Sequence, residues 1–185
     1  MLLATLLMTA WAADIPTAQQ KIDLIQEGKI PRGSQVTFPE RELNVYVQAK
    51  SKELFAAGVR EPRIEVLEGR AVGTALINFV ELRHAQAQDL NWILRKLLEG
   101  ERTVKAEAKI VSANGKARVD LERVEINGSG IQGRALDLLL RAFVLPLYPN
   151  AKVGEEFELG YEMESLRLHR GMVRVSMKPA PRRAK

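Results

Sequence analysis

The sequence predicts an α+β fold: a strongly curved antiparallel sheet of about six strands in three αββ units, wrapped around or covered by helices. Three observations predict it. Apolar and charged residues alternate on both sides of Glu68-Gly69, Asn114-Gly115 and Arg170-Gly171, the pattern of half-buried hairpins. A stretch with helical periodicity precedes each hairpin. The alternation also slips by one position at matching places, Leu121–Val124–Ile126 and Met163–Leu166–Leu168, as β-bulges would require.

The chain opens on an apolar run, Met1 to Ala10, that ends in the small-x-small step Ala10-Trp11-Ala12 before polar Asp14 and turn-forming Pro16. Residues 1–13 therefore read as a signal peptide cleaved near Ala12 or Ala13, although no Lys or Arg precedes the run. The run is too short to cross a bilayer as a helix, which takes roughly 20 residues. A short core helix is the alternative reading. Residues 14–178 then form a single α+β domain, periplasmic or secreted, and residues 179–185 a disordered basic tail.

In the first unit, Ile22, Leu24 and Ile25 among polar neighbours predict a short helix from Thr17 to Glu27. Gly28, Pro31 and Gly33 break it, and Ser34 to Phe38 reads as a strand. Pro39 suits the first turn of a helix from Glu40 to Ala57, with Leu43, Tyr46, Val47, Leu54 and Phe55 on one side. A two-residue loop at Glu68-Gly69 puts Ala71, Gly73, Ala75, Ile77 and Phe79 on the face of Ile64 and Val66. Small residues opposite large ones leave room there.

The second unit has a helix from Gln86 to Leu98 with a stripe of Leu90, Ile93, Leu94, Leu97 and Leu98. Asn114-Gly115 is the strongest hairpin signal in the chain. A two-residue loop there pairs Ile110 with Val119, Lys109 with Asp120 and Ala108 with Leu121. Continued unchanged, it sets Glu107 against Glu122 and Ala106 against Arg123. One extra residue near Glu122 and Arg123 repairs both faces: Glu107 meets Arg123, Lys105 meets Glu125, Ala106 meets Val124 and Val104 meets Ile126.

The third unit starts with a helix from Arg134 to Leu147. Its apolar residues cover most of the circumference and leave Arg134, Asp137 and Arg141 as a narrow polar stripe, so it reads as buried nearly all round. Phe157, Leu159, Tyr161 and Met163 then alternate as one strand, followed by Leu166 and Leu168, and Val173, Val175 and Met177 return. The same register sets Arg167 against Arg174, an unfavourable pair.

Composition excludes several chemistries. The chain has no cysteine, hence no disulfide, thiolate metal site or cysteine nucleophile. Its 28 basic residues are interleaved with 23 acidic ones, which suits solvated faces rather than a nucleic-acid footprint. The basic tail suits transient contact with an anionic membrane surface. Gly128-Ser129-Gly130-Ile131-Gln132-Gly133 matches G-x-G-x-x-G, but the strand before it alternates with charges and lies in a hairpin, unlike a nucleotide-binding strand; a connection capping the third helix is the expectation. His84 and His169 lack metal-ligand spacing, and Ser129 lacks a nucleophile elbow. No catalytic residue, metal or cofactor is expected.

The segment Val36-Thr37-Phe38-Pro39-Glu40-Arg41-Glu42-Leu43-Asn44-Val45-Tyr46-Val47 resembles an opening of bacterial periplasmic proteins of the tubular lipid-binding (TULIP, BPI-like) superfamily, where a short strand leads into a helix beginning with an acidic-Leu-Asn step. Residues 116–128 and 157–177 resemble the long curved hairpins of the same proteins. The resemblance implies a curved sheet around a helix with lipid in the groove between them. Three roughly equal helices depart from the superfamily's one dominant helix. The expected function is an exported, non-catalytic binder or carrier of lipid or another hydrophobic small molecule in the cell envelope. Its groove is expected to be lined by Leu136, Leu139, Leu140, Phe143, Val119, Leu121, Tyr161 and Met163. The alternative is an envelope interaction or scaffold module with a solid core and no ligand.

Overall fold

The computed structural model describes residues 17–55, 57–79, 81, 99–141 and 153–180. The expected signal peptide, the helix from Gln86 to Leu98, the third helix beyond Arg141 and the end of the basic tail lie outside the described residues. The first part of the chain forms α1 (Ala18–Gln26), β1 (Gln35–Pro39), α2 (Glu40–Ala49), α3 (Ser51–Leu54), β2 (Val59–Leu67) and β3 (Arg70–Asn78). After these come β4 (Glu101–Ala113), β5 (Lys116–Ile126), β6 (Ser129–Ile131), α4 (Gly133–Leu139), β7 (Glu156–Glu158), β8 (Met163–His169) and β9 (Met172–Met177).

The fold is α+β with antiparallel strands, but they form two sheets. One has six strands in the order β2-β3-β4-β5-β6, with β7 also on β5, and the other has three in the order β1-β9-β8. The third hairpin therefore does not extend the main sheet, as the repeat had predicted. Gly160, Tyr161 and Glu162 all take positive φ and turn the chain out of the expected single strand. The piece before that turn, β7, pairs with the start of β5, whereas β8 and β9 pair with each other and take β1 as a third strand.

Register follows local chemistry closely. Asn114 and Gly115 both have positive φ, which a two-residue primed hairpin turn needs. Beyond the turn, Ala108 faces Leu121, the register shifts, and Glu107 faces Arg123. Glu122 is the extra residue, so the bulge falls where charge and apolar parity place it. A second shift lies between Met163 and Ser165, again as expected.

Helix ends differ more. Thr17 and Gln20 close a reciprocal capping box at the start of α1. The helix expected to run to Ala57 stops at Ala49, and only the single turn α3 follows. The apolar stripe lapses there: three and four residues beyond Val47 stand Lys50 and Ser51, with nothing to bury. The described turns of α4 are not buried all round either. Leu139 is buried but Leu138 is 48% exposed, because only one side of the helix reaches the sheet. The glycine-rich motif does not cap a helix through a loose connection. Asn127 and Gly128 make a tight turn, and Ser129 pairs antiparallel with Ile126, so a hairpin stands where a nucleotide site needs a strand feeding a helix directly.

Both sheet edges that meet are closed by specific groups. At β2, the Asn44 side chain donates to the Ile64 carbonyl at 2.7 Å and accepts from the Ile64 N–H at 2.8 Å. One helical turn earlier, Glu40 Oε2 accepts from the Val66 N–H at 2.8 Å, and Gly171 N–H donates to the Val66 carbonyl at 2.8 Å. Two side chains at i and i+4 of α2 thus act as a partial strand against an edge that would otherwise be open. On β8, Gly69 N–H reaches Leu168 O at 3.0 Å and Gly115 N–H reaches Glu164 O at 2.8 Å. Between them the Ser112 hydroxyl donates to Leu166 O and accepts from Leu166 N–H. The turns of the large sheet therefore seal the outer edge of the small one.

Candidate functional site

Two apolar cores result among the described residues. The first lies on the large sheet and gathers Phe79, Val124, Ile126, Ile131 and Leu139, with Leu121, Ala135 and Leu136 packed against them. The second lies on the small sheet and gathers Ala18, Ile25, Phe38, Val175 and Met177, with Ile22, Leu43, Tyr46, Met163 and Val173 around them.

The eight residues expected to line one groove divide between these cores. Leu121, Leu136 and Leu139 meet in the first. Val119 lies two pairs further along β5, opposite Ile110, and Leu140 follows the end of α4 half-buried. Phe143 lies outside the described residues. Tyr161 and Met163 belong to the other sheet, beside α1. Tyr161 is moreover not on an inner strand face: it sits in the positive-φ turn and is 56% exposed. The separation has a simple origin. A single eight-residue groove required β8 to continue the large sheet, and β1 takes β9 instead.

The inner face of the large sheet still carries the trough that its small residues imply. Across four strands the rows read Val66–Ala71–Ala108–Leu121 and Ile64–Gly73–Ala106–Val124. Bulky side chains form the sides and Ala or Gly the floor. A Cβ built on Gly73 would meet nothing within 4 Å.

Two apolar openings lie along α1. Beside its later turns a cleft of about 280 Å³ is bounded by Ile22 and Ile25 of α1, Phe38, Leu43, and Met163, Val173 and Val175, with Tyr161 also lining it. At its N-terminal end a cleft of about 610 Å³ runs between the first turn of α1 and Pro39, Val45, Tyr46 and Ala49. Val45 is 62% exposed there. The helix is short and is held by Ala18 and Ile25, buried in the second core, and by Lys21, whose ammonium bonds Glu42 at 2.6 Å and the Thr37 carbonyl at 2.9 Å and lies 5.7 Å from the Phe38 ring centre. Charge is confined to the wider cleft's rim, at Arg41, Glu42 and Lys50. The Lys50 ammonium is held above its ordinary range by the hydrogen bonds it donates to Glu53 and by the charge of that carboxylate.

Sequence reasoning missed this site. Its local signs were the amphipathic pattern of α1 and the apolar residues of β1, but the narrower cleft is completed by Met163, Val173 and Val175, which the pairing of β1 with β9 brings there across most of the chain. Among the described residues, no group of three or more His, Asp or Glu could hold a metal ion, and no helix is long and apolar enough to cross a membrane. His169 instead lies 3.2 Å from Glu68 through Nδ1. No family model matches the chain, and no curated protein is significantly similar to it.

Proposed function

We propose that the protein is a non-catalytic binder of a lipid or similar hydrophobic molecule, held against α1 rather than against the third helix. The observation that carries this reading is the pair of apolar clefts along one short helix, one at its first turn and one beside its later turns. Apolar walls with a few polar groups at the rim suit a ligand with an aliphatic body and a polar end. The narrower cleft offers Ile, Val, Leu and Met side chains to the body and the Tyr161 ring at the mouth. The resemblance to the TULIP superfamily and the signal-peptide reading of residues 1–13 support the same role in an exported protein of the cell envelope. The register shifts of β2 and β5 support curvature of the large sheet, since a bulge bends and twists the strand that carries it.

The test is a titration with a fluorescent fatty acid, with native mass spectrometry of gently purified protein beside it. Wild-type protein should bind, and Ile22→Trp, which places an indole in the narrower cleft, should weaken binding at least tenfold while leaving the fold intact. Absence of binding by wild type, or equal binding by the variant, would overturn the reading. A second reading, an interaction module without a ligand, is favoured by the exposure of Val45 at 62% and Val111 at 52%. It predicts that the wild-type protein binds no fatty acid and that Val45→Lys abolishes partner capture.

A further inference from the structure

The small sheet has a second face, opposite the apolar one. Its β1-β9-β8 register sets Thr37, Arg174 and Arg167 side by side in one row, and Gln35, Ser176 and Ser165 in the next. These side chains are hydrogen-bond donors without a carboxylate among them. Two guanidiniums directly opposite one another, with Cβ atoms roughly 4.5–5.5 Å apart, repel and destabilise a sheet. Elsewhere the chain resolves such contacts. On the large sheet Arg70 faces Lys109, yet Glu122 and Glu107 reach Arg70 at 2.6 and 3.6 Å. Around the small sheet the described ion pairs join Arg32 to Glu162 and Lys21 to Glu42, His169 contacts Glu68, and neither Arg167 nor Arg174 takes part in an ion pair.

We infer that this face is an oxyanion site: Arg167 and Arg174 together bind the phosphate of a phosphate ester, with the Ser165 and Ser176 hydroxyls beneath. Arg167 is exposed and Arg174 half-buried, while Ser165 is buried at 7% and forms the floor between long neighbours. A phosphate carries several acceptor oxygens and at least one negative charge, enough for a fork-like contact with each guanidinium. Binding replaces the cross-strand repulsion with two attractions. The site stands on the face opposite the α1 clefts, so it does not depend on the hydrophobic-ligand reading.

Amide chemical shifts followed during titration with inorganic phosphate, and separately with soluble short-chain phosphatidic acid, test the inference and distinguish a free phosphate from a lipid headgroup. Shifts centred on Thr37, Ser165, Arg167, Arg174 and Ser176 are expected in at least one arm, and Arg167→Gln/Arg174→Gln should weaken that binding at least tenfold. The variants also give an independent readout. Arg174→Gln should raise the midpoint of thermal unfolding in phosphate-free buffer, and phosphate should raise the wild-type midpoint but not that of the double variant. The inference is overturned if neither arm shifts these residues, if the double variant binds like wild type, or if Arg174→Gln lowers the phosphate-free midpoint.

Discussion

Asn44→Ala should loosen the seam between α2 and the large sheet more than any other single side-chain truncation on that helix. The Asn44 carboxamide makes two hydrogen bonds to one residue, at 2.7 Å to Ile64 O and 2.8 Å from Ile64 N–H. Each is worth about 0.5–1.5 kcal/mol net, so their joint loss costs about 1–3 kcal/mol. Asn44 and Ile64 are both half-buried, which limits how well water replaces the lost partners and places the expected value at about 2–3 kcal/mol. For a chain of this size that lowers the thermal midpoint by roughly 5–10 °C. Urea unfolding followed by circular dichroism measures it, with an unchanged denaturant slope as the sign that both end states keep their compactness. Asn44→Asp separates the two bonds: it keeps an acceptor for Ile64 N–H but turns an oxygen towards Ile64 O, and should cost at least as much as Ala. A loss below about 0.5 kcal/mol for Ala, or an Asp variant as stable as wild type, would refute the strand-like role of this side chain. Because α2 also walls both clefts, the Ala variant should bind an apolar dye more strongly than wild type.

Three further outcomes follow from geometry. Deleting Glu122 removes the bulge but leaves Glu107 opposite Arg123 and Ala108 opposite Leu121, so cross-strand NMR contacts should persist at a cost below about 2 kcal/mol; a slipped register would contradict the assignment of the extra residue. Tyr161→Gly relieves a side chain from φ 45°, and should raise stability by up to about 1 kcal/mol in urea unfolding, since left-handed backbone penalises a residue with a Cβ. Glu53→Gln removes the cause of the raised Lys50 pKa, so the Lys50 ammonium should titrate at lower pH in an NMR titration; an unchanged titration would show that Glu53 does not hold it.

How much of this was legible depends on the range over which each feature is decided. The Asn114-Gly115 turn, the partners of β4 and β5 and the bulge at Glu122 are settled by neighbours within about one hairpin. There a wrong register buries charge or apposes like charges, and the cost is readable from the residues. The pairing of Arg167 with Arg174 was equally readable as a local liability. The function of Glu40 and Asn44 was not. Their i, i+4 spacing is visible, but an acidic residue and an amide at the start of a helix suggest solvent, and only the position of β2 makes them edge-sealing groups. Tyr161 misled in the opposite direction, since its place in an alternating series concealed a turn built from Gly160, Tyr161 and Glu162.

The candidate sites show the same division. The small-residue floor of the large sheet could be read from Ala71, Gly73, Ala106 and Ala108, because side-chain period alone puts them on one face. The clefts beside α1 could not, because their walls come from separated stretches of chain, two for the wider and three for the narrower. By itself the sequence determined the α+β class, the three hairpins at Glu68-Gly69, Asn114-Gly115 and Arg170-Gly171, and the bulges in β5 and β8. Those follow from turn chemistry, period and local charge pairing. Only the tertiary structure decided that the third hairpin pairs with β1, dividing the strands into two sheets and moving Tyr161 and Met163 away from Leu121 and Leu139. The physical reason is that a strand edge presents the same N–H and C=O row to any partner. Which strand takes it is settled by how the whole chain closes its edges and buries its apolar faces together.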